Sequence, residues 1–175
     1  MSYCFNPTCQ NPQNHGQAML CQSCRSKLLL KERYWILKPI AQGSFGRTFL
    51  AVDDSQPLKP RCVVKQFSPR NQGADTIEKA ATLFRQEAVR LSQLGSHPQI
   101  PQLLAYIEQN HQQYVVQEFV DGQNLAQELS EQGAFNEARV RKLLQSLLSI
   151  LEFIHRHQVI HRDIKPENII SRSSG

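Results

Sequence analysis

Two groups of residues in this chain have types and spacings suited to chemistry. The first is a set of four cysteines within the opening 24 positions. Cys4 and Cys9 bracket four residues, Cys21 and Cys24 bracket two, and eleven residues separate the pairs. Two tight turns that each present two sulfurs can converge on one tetrahedral zinc ion, with Zn–S distances of about 2.3 Å. Asn6-Pro7, Asn11-Pro12 and Gln22-Ser23 are turn-compatible sequences at the right places. Two disulfides or a set of free thiols are the alternatives; disulfides need an oxidising compartment, and nothing here points to secretion. His15 is a spare ligand that reads as an exposed loop residue, because four sulfurs already complete the shell. The fifth cysteine, Cys62, sits beside Val63 and Val64 in a strand-like run and reads as a small buried hydrophobe.

The second group is spread along the chain in an order suited to handling phosphate. Ile40-Ala41-Gln42-Gly43-Ser44-Phe45-Gly46 joins two strand-like segments, and its glycines let backbone amides approach phosphate oxygens. No Gly-Lys-Ser/Thr follows, so this is not a Walker A loop. Lys65 closes a Cys-Val-Val-Lys strand from which an ammonium can reach a phosphate, and Glu87 lies on a helix where a carboxylate can hold that ammonium. Then comes His161-Arg162-Asp163-Ile164-Lys165-Pro166-Glu167-Asn168, in which Pro166 forbids a continuing helix. Asp163 can orient a hydroxyl and accept its proton, Lys165 can neutralise a moving phosphoryl group, and Asn168 can hold magnesium. Taken singly, Lys65 and Glu87 could be an ordinary ion pair, and Asp163 and Asn168 turn formers.

The elements that must position these residues follow from periodicity. Strands are expected over Tyr34–Ile40, Arg47–Val52 and Arg61–Phe67, then Leu103–Glu108 and Gln113–Val120, all with alternating or β-branched character. A helix over Asp75–Leu94 places Ile77, Ala80, Ala81, Phe84, Ala88, Leu91 and Leu94 on one face; Gly95 ends it and Pro98 prevents its return. A second helix starts at Asn136 as N-cap and runs to His157, with Val140, Leu143, Leu144, Leu147, Leu148, Leu151 and Ile154 at helical spacing. The fold class is α+β: a five-stranded antiparallel sheet with one helix inserted after the third strand, then helix, preceded by the cysteine segment.

With the motifs in this order, residues 34 to 175 resemble the first part of a Ser/Thr protein kinase domain, HRDIKPEN being the most specific element. The four-cysteine start, with GSFGRTFLAVD, FRQEAVRL and HPQIPQLL, further resembles the zinc-ribbon-bearing bacterial kinases typical of cyanobacteria. The resemblance implies ATP and magnesium as cofactors beside structural zinc, and protein Ser/Thr hydroxyls as substrates. It assigns Ile40, Gly43, Ser44, Phe45 and Gly46 to the loop over the nucleotide, with Phe45 at its tip. Lys65 would contact phosphates and pair with Glu87, Gln117 would be the gatekeeper, and Glu118 and Val120 would offer backbone groups to adenine. Asp163 becomes the catalytic base, Lys165 suggests Ser/Thr over Tyr, and Arg162 would dock a phosphorylated activation segment. There are departures: Ala41 replaces the first loop glycine, and Thr48 and Val63 stand where Val and Ala usually face adenine. The sequence also ends at Gly175, before any Asp-Phe-Gly, so the 175 residues alone are expected not to transfer phosphate.

Composition bounds these readings. The chain has 175 residues, 40% hydrophobic and 20% charged, which excludes a disordered tail or a fibrous repeat. Its longest apolar run, Leu147 to Ile154, is broken by Glu152, so no membrane span is expected in this segment, and the opening residues do not resemble a secretory signal. The expectation is a soluble, cytoplasmic protein. A net charge of +5 raises nucleic-acid binding, yet beyond Arg25, Lys27, Lys31 and Arg33 the basic residues are scattered, and no nucleic acid is expected. The resulting division is a zinc-ribbon-like module over 1–30, a kinase N-lobe and hinge over 34–122, and the beginning of a C-lobe over 123–175. The alternative is a catalytically inactive module that binds a nucleotide or partner without transfer.

Overall fold

The structure, a computed structural model, describes residues 1–15, 18–43, 45–69 and 73–172. Two compact units divide the chain: residues 1–92 with 102–119, and residues 93–101 with 120–175.

The first unit is built on one antiparallel sheet. After a small pair, β1 (Ser2–Tyr3) with β2 (Gln13–Asn14), come β3 (Leu29–Leu30), β4 (Tyr34–Gln42), β5 (Gly46–Asp53) and β6 (Arg61–Phe67). Helix α1 (Ala74–Leu94) follows, then β7 (Leu103–Gln109) and β8 (Gln112–Glu118). The sheet order is β3-β4-β5-β6-β8-β7. The five expected strands are all present, and Leu29–Leu30 adds a short sixth through Leu29 opposite Trp35 and Leu30 opposite Tyr34. Pro39 sits inside β4 between two register shifts, at Ile36/Lys38 and Pro39/Ala41. Among the described residues no strand pairs with the other side of β4 at Pro39, the kind of edge position where proline is tolerated.

Alternation along the strands separates two faces. Phe49, Ala51, Cys62, Val64 and Val116 are buried on one of them with Ile36 and Tyr114. Their cover comes from the cysteine segment: Phe5 belongs to the same cluster, Tyr3 packs against it, and the Phe5 ring meets Tyr114 edge-on at 5.9 Å. Cys62 is wholly enclosed there, as expected of a small hydrophobe, and burial pushes its thiol up to about 12. The opposite face carries Thr48, Lys65 and Val115 in one cross-strand row and Leu50, Val63 and Gln117 in the next. Helix α1 lies on this side, with Phe84 against Phe67 at 5.5 Å. Every residue assigned to the apolar face of α1 is buried or half-buried, Ala88 most completely.

In the second unit, β9 (Gly122–Asn124) leads into α2 (Leu125–Gln132), then α3 (Glu137–Arg156), a 3₁₀ turn at Pro166–Asn168 and β10 (Ile170–Arg172). Strands β9 and β10 pair antiparallel. Gly122 is required at that contact, since a Cβ there would come 2.1 Å from the Ser171 carbonyl oxygen. Asn136 caps α3 as expected, accepting from the Arg139 amide at 2.9 Å. The periodic set on α3 divides: Ile154 is buried with Leu94 and Val159, whereas Val140, Leu144 and Leu148 are exposed. Helix α2 and the β9–β10 pair lie outside the expected elements. The helix had a local signal, the Asn124 and Gln127 capping box followed by Gly133. The strand pair joins segments far apart in sequence and had none. No helix among the described residues is long and apolar enough to cross a membrane.

One buried charge secures the entry to the sheet. Asp53, 1% exposed, accepts from Arg33 Nε at 2.9 Å and Nη2 at 2.6 Å, from the Ser55 hydroxyl at 2.7 Å and from Gln56 Nε2 at 3.1 Å. The Arg33 guanidinium, with the Ser55 and Gln56 donors, holds the Asp53 carboxyl far below the usual carboxylate range despite its burial. Because the folded value is depressed, the stabilisation is complete above about pH 4 and disappears only as the pH falls through the lower folded value. Asp53→Asn should lower stability by about 1–3 kcal/mol at pH 7 in urea denaturation. The gap between variant and parent should close on acidification below about pH 4.

Candidate active site and metal centre

The glycine-containing loop is the turn between β4 and β5. The Gly43 amide donates to the Gly46 carbonyl at 2.9 Å, and the Ser68 amide donates to the Phe45 carbonyl at 2.9 Å, so the end of β6 holds the loop tip. Phe45 is exposed, as is Ile40 at the approach; Ser44 lies outside the described residues. The two glycines have different reasons to be there. A Cβ on Gly46 would stand 2.5 Å from the Gln66 carbonyl oxygen, so the sheet itself excludes a side chain. Among the described residues nothing lies within 4 Å of a Cβ on Gly43.

Lys65, on the β6 face that α1 covers, reaches Glu87 across a 2.6 Å ion pair. Both groups are about a third exposed, which leaves the ammonium accessible to an anion. Thr48 is register-paired with Lys65 and Val63 with Gln117, placing all four on the same side of the sheet. Gln117 is buried at the end of β8, and the Glu118 amide donates to Gln102 O at 2.9 Å. The strand stops at Glu118, so Val120 falls beyond it rather than within it as expected.

In the second unit, Asp163, Lys165 and Asn168 converge. Lys165 Nζ lies 3.1 Å from Asp163 Oδ1, and Asn168 Nδ2 donates to Asp163 Oδ2 at 2.8 Å and to its carbonyl at 2.9 Å. The 3₁₀ turn begun by Pro166 brings Asn168 back, its amide donating to the Lys165 carbonyl at 2.9 Å. Lys165 and then Asn168 hold the Asp163 carboxyl below its ordinary range, so it is an ionised acceptor at neutral pH. The Asn168 amide nitrogen is committed to Asp163, which leaves its Oδ1 as an oxygen ligand suited to magnesium.

The four cysteines also converge, with their sulfurs all within 4.8 Å of one another. Cys4 and Cys24 sulfurs are 3.5 Å apart and Cys9 and Cys21 sulfurs 3.7 Å, close to the ~3.8 Å edge of a tetrahedron built on zinc–thiolate bonds. All five cysteines are free, and His15 is exposed outside the cluster. Asn6 Nδ2 points at Cys24 Sγ and Asn14 Nδ2 at Cys21 Sγ, both at 3.6 Å. Such N–H donors suit sulfurs carrying negative charge. Burial raises the Cys24 thiol, but hydrogen bonds from Ser26 together with the neighbouring Cys4 and Cys9 bring it down to about 6; burial drives the enclosed Cys4 thiol far upward. Of the basic flank, Lys27 pairs with Glu32 and Arg33 with Asp53.

The first unit thus carries a glycine loop and a strand lysine paired to a helix glutamate, and the second carries an Asp-Lys-Asn loop. The chain belongs to the protein kinase domain family, which residues 34–175 match. It is 45% identical over 174 residues to serine/threonine-protein kinase B of Synechocystis sp., covering 99% of this chain and 30% of that protein. It is 46% identical over 145 residues to serine/threonine-protein kinase PknA of Nostoc sp., covering 82% of this chain and 26% of that one. Among solved structures, the apo form of PpkA-294 is similar with a TM-score of 0.71 at 29% identity, over 81% of this chain and 55% of that one. The chain thus spans under a third of the length of the two curated relatives.

The contrast between the loop glycines is directly measurable. Gly46→Ala should lower the thermal midpoint by several degrees, an effect of about 1–3 kcal/mol, because backbone must shift. Gly43→Ala should leave the midpoint within about 2 °C of the parent.

Proposed function

We propose that this chain is the ATP-binding and catalytic-loop portion of a Ser/Thr protein kinase, transferring the γ-phosphoryl group of ATP to protein Ser/Thr hydroxyls. The observation that carries the reading is the Asp163–Lys165–Asn168 cluster: an ionised carboxylate with a cation and an amide fixed on it. Kinship to proteins named serine/threonine-protein kinases supports it.

In this reading Lys65, held by Glu87, binds the nucleotide phosphates, and Gly43, Ser44, Phe45 and Gly46 lie over them. Ile40, Thr48 and Val63 line the adenine side with Gln117, while Glu118 and Val120 offer backbone groups to the base. Asp163 accepts a hydrogen bond from the substrate hydroxyl and takes its proton as the oxygen attacks the γ-phosphorus and the bond to the bridging oxygen breaks, releasing ADP. Lys165 neutralises charge on the transferring group. Asn168 Oδ1 would hold magnesium, which when bound neutralises phosphate charge. Cys4, Cys9, Cys21 and Cys24 would hold a structural zinc ion, which contributes folding free energy to a segment with little apolar core of its own. The cytoplasm, where thiols stay reduced, is the compartment that fits.

Asp163→Asn should reduce radiolabelled phosphate transfer by the full-length protein by about 10²-fold or more while ATP binding persists. Unchanged transfer would remove Asp163 from its role. Metal analysis of purified protein should find one zinc per chain, and chelation should lower the thermal midpoint; less than half an equivalent, with all thiols reactive, would refute the zinc assignment.

A further inference from the structure

Gln66 is fully buried inside an otherwise apolar cluster, and its partners are the most specific feature of the sheet. Its Nε2 donates to the Phe5 carbonyl at 3.0 Å and to the Tyr114 hydroxyl at 3.2 Å. Its Oε1 accepts from Arg47 Nε at 3.1 Å and Nη2 at 2.7 Å, and Arg47 Nη2 also donates to the Phe5 carbonyl at 2.5 Å. Both carboxamide hydrogens and the carboxamide oxygen are therefore used, and both donors on the Phe5 carbonyl come from the sheet. A buried amide is costly unless satisfied in this complete way, and an apolar residue would fill the same volume without that demand.

What the network adds is register. Arg47, Gln66 and Tyr114 are cross-strand partners in one row. In sequence Arg47 lies between Gly46 and Thr48, and Gln66 directly follows Lys65. With a side-chain period of two, a one-residue slip would turn Lys65 to the face under the cysteine segment and Gln66 to the side of α1. We propose that Arg47 and Gln66 are positioning residues for nucleotide binding, and that the Phe5 carbonyl makes the cysteine segment an in-chain clamp on the strands carrying Gly46 and Lys65. The inference rests on the ATP-binding reading above, whose own failure is separately visible.

The test measures KM for ATP and kcat in the full-length protein. Gln66→Met and Arg47→Met should each raise KM about tenfold with kcat within about twofold, and the double variant should be no worse than either alone. Asp53→Asn, which weakens the same sheet without touching the network, should leave KM unchanged. An unchanged KM in Gln66→Met, or an equal rise in Asp53→Asn, would overturn the proposal. Should Gln66→Met fail to fold, the partly exposed Arg47→Met carries the test by the same criterion. A parent protein that neither binds nor consumes ATP defeats the functional reading itself and this inference with it.

Discussion

Cys4 and Phe5 are neighbours just after β1, and they enter different interiors. Cys4 enters the sulfur cluster with Cys21 and Leu28, while Phe5 enters the apolar layer over β5, β6 and β8. The sheet needs this. Its inner face carries Phe49, Val64 and Val116, and leaving a ring such as Phe5 in water instead of over them would forfeit about 1.5–3 kcal/mol. The cysteine segment needs it too, because among the described residues Leu28 is the one aliphatic side chain fully buried in its sulfur cluster. Each part supplies what the other lacks. Leu28 and Leu30 are likewise divided, one in each cluster.

The two faces of the sheet have different cover. On the side that α1 packs against, the rows Thr48–Lys65–Val115 and Leu50–Val63–Gln117 present an ammonium and an apolar floor, and α1 adds the carboxylate that steadies Lys65. Register therefore matters more here than local flexibility. The close approach of Gln66 backbone to Gly46 and the closed polar network beneath it both resist slippage. Buried polarity in this place specifies an arrangement rather than adding net stability.

The Asp163–Asn168 loop is built on a different principle. Asp163, Lys165 and Asn168 fall within six residues, and one proline-initiated turn closes them into contact. Its chemistry is local, so the sequence motif alone carried its geometry. Lys65 and Glu87, twenty-two positions apart, were also legible, because strand alternation and helix periodicity each put the charged group on a definable face. Helix α2 could have been read from its capping box, whereas the β9–β10 pair could not.

Periodicity, turn chemistry and motif order in the amino-acid sequence determined the five main strands, α1 and α3 with its Asn136 cap. Those features rest on interactions spanning a few residues, or on patterns that repeat along one element. Tertiary structure decided which surface covers the sheet and joined Leu29–Leu30 to it. It also separated the role of Gly46 from that of Gly43 and gave Gln66 its partners. These depend on backbone atoms meeting across long sequence distances, as when the Phe5 carbonyl meets a side chain sixty-one residues away. Side-chain spacing along the chain carries no record of such a meeting.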